Sequence, residues 1–224
     1  KYLEWCLDLA DETKILKQEI ESFEMNFMKE LSLKDQIIIH ENVEPTTTIL
    51  IVEDQEKNLV GSVTLVFDGH CKLPAERIYC GELNTLRNQN EKIVEISRLV
   101  INPQFRNSKE VLVLLFNYLY IYSYYVKNYT CLAIEVNPRH TAYYESLLNF
   151  RAIGNERPCP SVQSAPAILM YVSLEHGQSE VLRFSKNVEF EKKTRSLYPY
   201  FVGPKQERLV AYYLEHQAKP ITEE

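Results

Sequence analysis

Glycine and proline are both scarce in this sequence, with six and ten residues among 224. Their scarcity argues against a collagen-like chain or a long low-complexity linker, because each of these needs one or both residues in abundance. The chain also lacks an excess of positive charge, since its formal net charge is −6 at pH 7. A dedicated nucleic-acid-binding protein is therefore not predicted, because phosphate recognition requires a clustered basic surface.

The cysteines lack the pairing expected of a disulfide framework or a zinc site. There are five of them, an odd number, and no two have C-x-x-C spacing. Histidines and carboxylates are also too scattered along the chain to predict a metal site. The reducing cytoplasm is the compartment that fits this cysteine usage best.

A long uncharged run is present at residues 111–126, but it is not predicted to span a membrane. It is slightly short for a span of about 20 residues, and it contains Asn117 and five tyrosines. A helix that is apolar on all sides is more often buried inside a protein. We therefore predict a core helix there and no integral membrane span.

The order of apolar segments predicts a mixed α/β chain. Apolar residues repeat at helical spacing over residues 11–31, whereas residues 48–53 and 59–67 are β-rich and flank a polar turn. This arrangement predicts a helix followed by an antiparallel hairpin. Residues 70–90 are predicted to be largely irregular, with a short helix at the segment ELNTLR.

The pattern of apolar segments in the second half of the chain predicts a parallel strand pair. Strands are predicted at residues 92–101 and 131–136, with a long helix at 109–126 between them, which gives a right-handed crossover. Further elements are expected in the order short helix, returning antiparallel strand and terminal helix, at residues 139–149, 167–174 and 205–216.

Several segments resemble long-chain N-acyl amino acid synthases of the GNAT superfamily, the type that makes N-acyltyrosines. The segments are FDGHCKLPAE, GELNTLR, EISRLVINP, NPRHTAYYESLLNFRAIGNERP and APAILM. The E-x-S-R-L element is also similar to that of acyl-homoserine lactone synthases, which share the fold and use acyl carrier protein. The resemblance covers roughly residues 45–175.

The resemblance implies the GNAT fold, of class α/β (α+β). Its sheet is mixed and mostly antiparallel, with a central splayed pair of parallel strands and helices on both faces. We expect an acyltransferase domain at residues 1–175 and a C-terminal extension of unknown role at 176–224. The implied reaction is transfer of an acyl group from a carrier thioester to the amine of an amino acid or a similar small molecule.

The donor-binding loop departs from the pattern of the wider superfamily. Most members have [QR]-x-x-G-x-[GA] at the start of the long helix, but residues 106–111 read RNSKEV here. Lys109 and Val111 fill both glycine positions, which hinders close approach of backbone amides to a diphosphate. The loop therefore favours a carrier-protein phosphopantetheine over coenzyme A. Its candidate donor-binding residues are Arg106, Asn107, Ser108 and Lys109, and no permanently bound cofactor is expected.

The third strand carries the candidate catalytic side chains. A carboxylate at Glu95 could take the proton from the substrate ammonium, and Ser97 could orient a water or a substrate carboxylate. Arg98 could bind that carboxylate or support Glu95, and it is expected to need a partner within so apolar a strand. Strand alternation places Glu95 and Ser97 on one face and Arg98 on the other. The structural alternative for Glu95 is a strand carboxylate that pairs with Arg98 or with another neighbour.

Two further groups complete the expected site. Backbone N–H groups among Leu99, Val100 and Ile101 would meet the developing oxyanion where the strands part. Tyr144 lies where many GNAT enzymes place the tyrosine that protonates the departing thiolate. Tyr143 competes for that role, and a core position is an equal alternative for either tyrosine.

Other functions stay open from the sequence alone. They are coenzyme A-dependent acetyl transfer, homoserine lactone synthesis, and a non-catalytic acyl- or carrier-protein-binding module on a degenerate GNAT scaffold. The expected partners are acyl carrier protein and a small amine, with membrane contact conceivable only through a lipid product. A basic rim around Arg106, Lys109, Lys127 and Arg139 would favour an acidic carrier protein.

Overall fold

The computed structural model describes residues 36–41, 46–54, 56–69, 72–105, 108–186, 194–217 and 219–220. The helix predicted at residues 11–31 lies outside these ranges. The described part begins with three antiparallel strands, β1 (Gln36–Glu41), β2 (Thr47–Glu53) and β3 (Leu59–Phe67). The predicted hairpin is thus confirmed as β2–β3, and the sequence analysis missed β1.

The middle of the chain forms the predicted parallel unit. Helix α1 (Glu76–Asn88) precedes strand β4 (Ile93–Ile101). Helix α2 (Lys109–Ile121) is extended by a π-helical turn (Tyr122–Val126), and strand β5 (Cys131–Val136) follows. Strands β4 and β5 pair in parallel, as predicted. Every residue of α2 from Val111 to Ile121 is buried, so the uncharged run is a core helix.

The remaining elements close the sheet and extend it. They are α3 (Thr141–Leu148), β6 (Arg151–Ala152), β7 (Arg157–Cys159), β8 (Ala165–Ser173), α4 (Leu174–Ser185), α5 (Pro204–Gln217) and β9 (Lys219–Pro220). The sheet order is β6–β8–β5–β4–β3–β2–β1–β9, with β7 paired to β8 as well. Strand β8 returns antiparallel to β5. The predicted mixed, mostly antiparallel sheet is confirmed.

Helix α1 corrects the sequence prediction for residues 70–90. The helix begins at Glu76, six residues before the predicted segment, and it bends at Tyr79, whose φ is −124°. Its N-cap is Ala75, which offers no side-chain cap, so the usual Ser, Thr, Asp or Asn signal of a helix start is missing. The bend brings Glu76 of the first turn to an ion pair with Arg87 of the last turn.

Two apolar clusters pack on the sheet. The larger contains α2 together with Val94 and Ile96 of β4, and the smaller contains α1 together with Ile93 of β4 and Ala133 of β5. Alternate residues of β4 thus face different helices, as the pleat of a strand requires.

The C-terminal extension packs into the larger cluster. Leu197, Tyr198 and Leu214 are all buried there. The Tyr125 hydroxyl donates a hydrogen bond to Glu207 of α5 at 2.5 Å, and burial raises the pKa of Glu207. The extension is therefore bound to the same core as the acyltransferase elements, while the domain boundary at residue 175 stays a prediction. No helix among the described residues has the length and hydropathy of a membrane span.

Tyr79 anchors α1, and this anchor should be sensitive to a methyl group at Gly154. The Tyr79 hydroxyl donates to the carbonyls of Ala167 and Asn155 at 2.6 and 3.0 Å. A Cβ at Gly154 would lie 2.5 Å from Tyr79 Cε1, and the buried ring cannot yield freely. We expect Gly154→Ala to lower the free energy of unfolding by about 1–3 kcal/mol in urea denaturation.

The matched control is Gly81→Ala on the same helix. A Cβ at Gly81 meets nothing within 4 Å, so alanine should stabilise the helix by about 0.5–1 kcal/mol through its higher helix propensity. Equal responses of the two variants would show that the contact with Tyr79 is not important.

Candidate active site

Strands β4 and β5 part after four paired positions. Their parallel register runs from Ile93 opposite Cys131 to Ile96 opposite Ile134. Beyond Ile96, β4 continues along β3 to Ile101, while β5 continues along β8 to Val136. A gap therefore opens in the middle of the sheet, between residues 97–101 and residues 135–136.

A bulge at Arg98 reshapes β4 at the mouth of this gap. The register with β3 shifts between Ser62 and Thr64, and Arg98 has a φ of 49°. The extra residue interrupts the pleat, so Leu99 and Ile101 pack against the same larger cluster as Ile96. Simple alternation, on which the predicted face of Arg98 rested, is therefore wrong beyond Ser97.

Arg98 itself is exposed and not enclosed within the strand. It forms no ion pair with another described residue, so Arg98 is not the partner that the structural alternative offered for Glu95, which instead accepts a hydrogen bond from the Ala75 N–H. The positive φ turns this residue out of the ladder, which removes the need for a buried partner. Its guanidinium is left available at the mouth of the gap.

Glu95 is a buried carboxylate whose pKa is raised. Its side chain is 3% exposed, and its Oε2 accepts a hydrogen bond from the Ala75 N–H at 2.9 Å. Burial raises the pKa of Glu95 to about 7; the Ala75 bond opposes this rise, and the charges of Glu135 and Glu76 add to it. A carboxylate with a pKa close to neutrality is suited to accept a proton from a substrate and release it again.

Glu135 is the nearest counterpart of Glu95 on the neighbouring strand. Glu95 pairs with Ala133 of β5, and Glu135 lies two residues further along, on the same face and beyond the last paired position. It is half-buried. The sequence analysis missed Glu135, because nothing in the sequence shows where the strands part.

On the β4 side of the gap, one backbone amide points away from the neighbouring strand β3. The Asn102 N–H donates to the Val60 carbonyl at 2.9 Å. Because ladder bonds alternate in an antiparallel pair, the Val100 amide also faces β3, and the Ile101 amide faces the opposite side, toward β5. Of the stretch Leu99–Ile101, the amide of Ile101 is therefore directed at the gap, while the Val100 side chain is 54% exposed.

A cleft of about 660 Å³ lies beside the start of α2. Ser108 and Lys109 of the predicted donor loop line it, together with Tyr143 of α3 and Arg195 of the extension. Ser108 caps α2 by accepting a hydrogen bond from the Val111 N–H at 3.4 Å. Arg106 and Asn107 lie outside the described residues, so their predicted part in donor binding stays a prediction.

The two candidate tyrosines occupy different environments. Tyr144 is half-buried and its ring lies 6.5 and 6.0 Å from the rings of Phe116 and Phe150. Tyr143 is 43% exposed and lines the cleft. Burial raises the pKa of both phenols, so each keeps its proton at neutral pH. The assignment of the proton donor to Tyr144, with Tyr143 as its competitor, stays a prediction.

One family model matches more than half of the chain. The model of the N-acyl amino acid synthase FeeM family matches residues 25–173. The solved structure of FeeM, an N-acyl amino acid synthase from uncultured soil microbes, is similar with a TM-score of 0.53 and 22% identity. The similarity covers 76% of this chain and 89% of that one.

More distant similarity extends to spermidine N-acetyltransferases. A chimera of SpeG from Vibrio cholerae and hSSAT has a TM-score of 0.44 and 19% identity, covering 60% of this chain and 71% of that one. A search of curated proteins finds no match. The splayed parallel pair and the mixed, mostly antiparallel sheet are those that the sequence predicted.

The raised pKa of Glu95 has a consequence for stability. A carboxylate whose pKa is higher in the folded state stabilises the fold at low pH, and that stability is lost as pH rises from about 4.5 to about 7. Glu95→Gln keeps an acceptor for the Ala75 N–H and removes the buried charge. We therefore expect the variant to gain about 2–3 kcal/mol over the wild type between pH 4 and pH 8 in urea denaturation. A difference that stays constant across this range would contradict the shifted pKa.

Proposed function

The chain belongs to the N-acyl amino acid synthase FeeM family and is an N-acyltransferase, and we propose that it transfers a long-chain acyl group from acyl carrier protein to the amine of an amino acid. The observation that carries the proposal is the buried carboxylate of Glu95, with a pKa of about 7, beside the gap between β4 and β5. An amine can attack a thioester only after it loses its ammonium proton, and this carboxylate is poised to take it.

The donor and the amine are proposed to reach the gap from opposite faces of the sheet. Glu95 lies on the face that packs on α1, whereas the cleft is lined by α2 and α3. A phosphopantetheine arm in the cleft would extend its thioester into the gap. The amine would enter beside Glu95 and Glu135, whose carboxylates favour a cation. Ser97 and the exposed Arg98 would meet the substrate carboxylate.

The chemical step then follows from these positions. Glu95 removes one proton from the ammonium, and the free amine attacks the thioester carbon. The Ile101 N–H stabilises the negative charge that develops on the carbonyl oxygen. The C–S bond breaks as the amide forms, and Tyr144 or Tyr143 donates a proton to the thiolate. The second proton that the nitrogen must lose replaces the one given up by the tyrosine, so the phenol is restored. The products are the N-acyl amino acid and the free thiol of the donor.

The acyl donor is the finer part of the proposal. The loop without glycines limits backbone contact with a coenzyme A diphosphate, whereas Lys109, Ser108 and the start of α2 suit a single phosphodiester. This argument favours acyl carrier protein over acyl-coenzyme A. The amine acceptor and the chain length rest on the family resemblance.

The proposal can be tested with the purified protein, palmitoyl-loaded acyl carrier protein and a pool of amino acids, with products analysed by mass spectrometry. We expect an N-palmitoyl amino acid, and we expect Glu95→Gln to lower kcat by about 10²–10⁴-fold. Glu215→Gln, an exposed glutamate on α5, is the matched control and should keep full activity.

Other outcomes would replace parts of this proposal. Turnover with acetyl-coenzyme A but not with the carrier protein would mean that the missing glycines do not decide the donor. Full activity of Glu95→Gln would exclude that residue as the base. The absence of any product with either donor would favour a binding module without catalytic activity.

A further inference from the structure

The cleft beside α2 has one wall that lies beyond the family match. Thr194, Arg195 and Leu197 line it, and all three follow residue 173, where the family model ends. The remaining walls come from α2, α3 and the residue that caps α2. The C-terminal extension therefore contributes side chains to a cleft whose other residues belong to the matched core.

The lining combines positive charge with hydroxyl groups and aliphatic surface. Its cations are Lys109 and Arg195, and no carboxylate lines it among the residues that the structure describes. The hydroxyl-bearing lining residues are Ser108, Tyr143, Ser146 and Thr194. Such a surface suits an elongated ligand with one anionic group and a chain of amides and methylenes, because each part finds a matching contact.

The extension is held beside the cleft by contacts of the residues that follow Arg195. The Leu197 N–H and the Ser196 hydroxyl both donate to the Leu147 carbonyl, at 2.9 and 3.3 Å. The Lys109 ammonium also lies 3.8 Å from the centre of the Tyr200 ring. The backbone that follows Arg195 is thus held in place before any ligand arrives, which lowers the entropic cost of binding.

Arg195 has no competing ion-pair partner among the residues that the structure describes. Its side chain is exposed, and no ion pair joins it to another residue in the described part of the chain. A guanidinium that is not neutralised and that borders a cleft without carboxylates is available for an anion. Phosphate oxygens match its planar set of donors better than they match a lysine.

We propose that Arg195 binds the phosphodiester of the donor's phosphopantetheine arm, so that the C-terminal extension completes the donor site. The inference rests on the proposed function in taking phosphopantetheine as the donor group. It also accounts for the two filled glycine positions at the start of α2. Where side chains keep the backbone amides of the loop away from the phosphate, an arginine from the extension supplies the hydrogen bonds instead.

Calorimetric titration with two small ligands tests this proposal without depending on turnover. The ligands are 4′-phosphopantetheine and pantetheine, which differ by the phosphate alone. We expect Arg195→Gln to weaken binding of 4′-phosphopantetheine about tenfold and to leave pantetheine unchanged. Arg195→Lys should recover part of the loss, because it restores the charge without the planar donor set.

Arg208→Gln is the matched control, since Arg208 is an exposed arginine on α5 and is not among the residues that line the cleft. It should bind both ligands as the wild type does.

Three outcomes would overturn the proposal. Arg195→Gln could lose affinity equally for both ligands, it could lose none, or the wild type could bind both ligands equally well. If the wild type acylates amino acids but Arg195→Gln binds 4′-phosphopantetheine unchanged, the role of Arg195 is refuted and the proposed function stands. If Arg195→Gln selectively loses 4′-phosphopantetheine binding but the wild type has no transferase activity, the role of Arg195 stands and the proposed function is refuted.

Discussion

The hydrogen bond between the Glu95 carboxylate and the Ala75 amide is the interaction on which the account depends. A carboxylate that is 3% exposed would not remain without a partner. The partner is the backbone just before α1, so this helix must lie against β4. Two side chains of α1 hold the helix there. Arg87 forms ion pairs with Asp68 and Glu76. Tyr79 forms hydrogen bonds with the carbonyls of Ala167 and Asn155. One amide partly offsets the burial and leaves the pKa of Glu95 at about 7.

The bulge at Arg98 connects this buried group to the opening in the sheet. Before the bulge, β4 pairs with both β3 and β5, and Glu95 lies within the paired region. After it, β4 pairs with β3 alone and the Ile101 amide faces the gap. A single inserted residue thus separates a buried carboxylate, on the paired part of β4, from an exposed guanidinium and a backbone amide directed at the gap. Rearranging this segment would alter all of them at once.

The sequence predicted the five long strands β2, β3, β4, β5 and β8, but it missed β1, the short strands β6, β7 and β9, and the irregularities of the sheet. The hairpin, the parallel pair and the core helix α2 follow from long apolar patterns, which report burial directly. Helix α1 was largely missed because Ala75 gives no capping signal and the helix bends at Tyr79. The bulge was missed because a positive φ at an arginine leaves no trace in composition. Among the candidate site residues, Glu95 could be proposed from its motif, but its burial, its Ala75 partner and the nearby Glu135 needed the fold.

The most direct test is the pKa of Glu95, measured by following its side-chain carboxyl carbon by NMR in protein labelled with ¹³C-glutamate. Glu95→Gln would assign the signal. A midpoint at about 7, which falls when Glu135 is replaced by Gln, is the result expected from the burial and charges around Glu95. A midpoint near the ordinary glutamate value of about 4.3, with no response to Glu135→Gln, would contradict its role as the base.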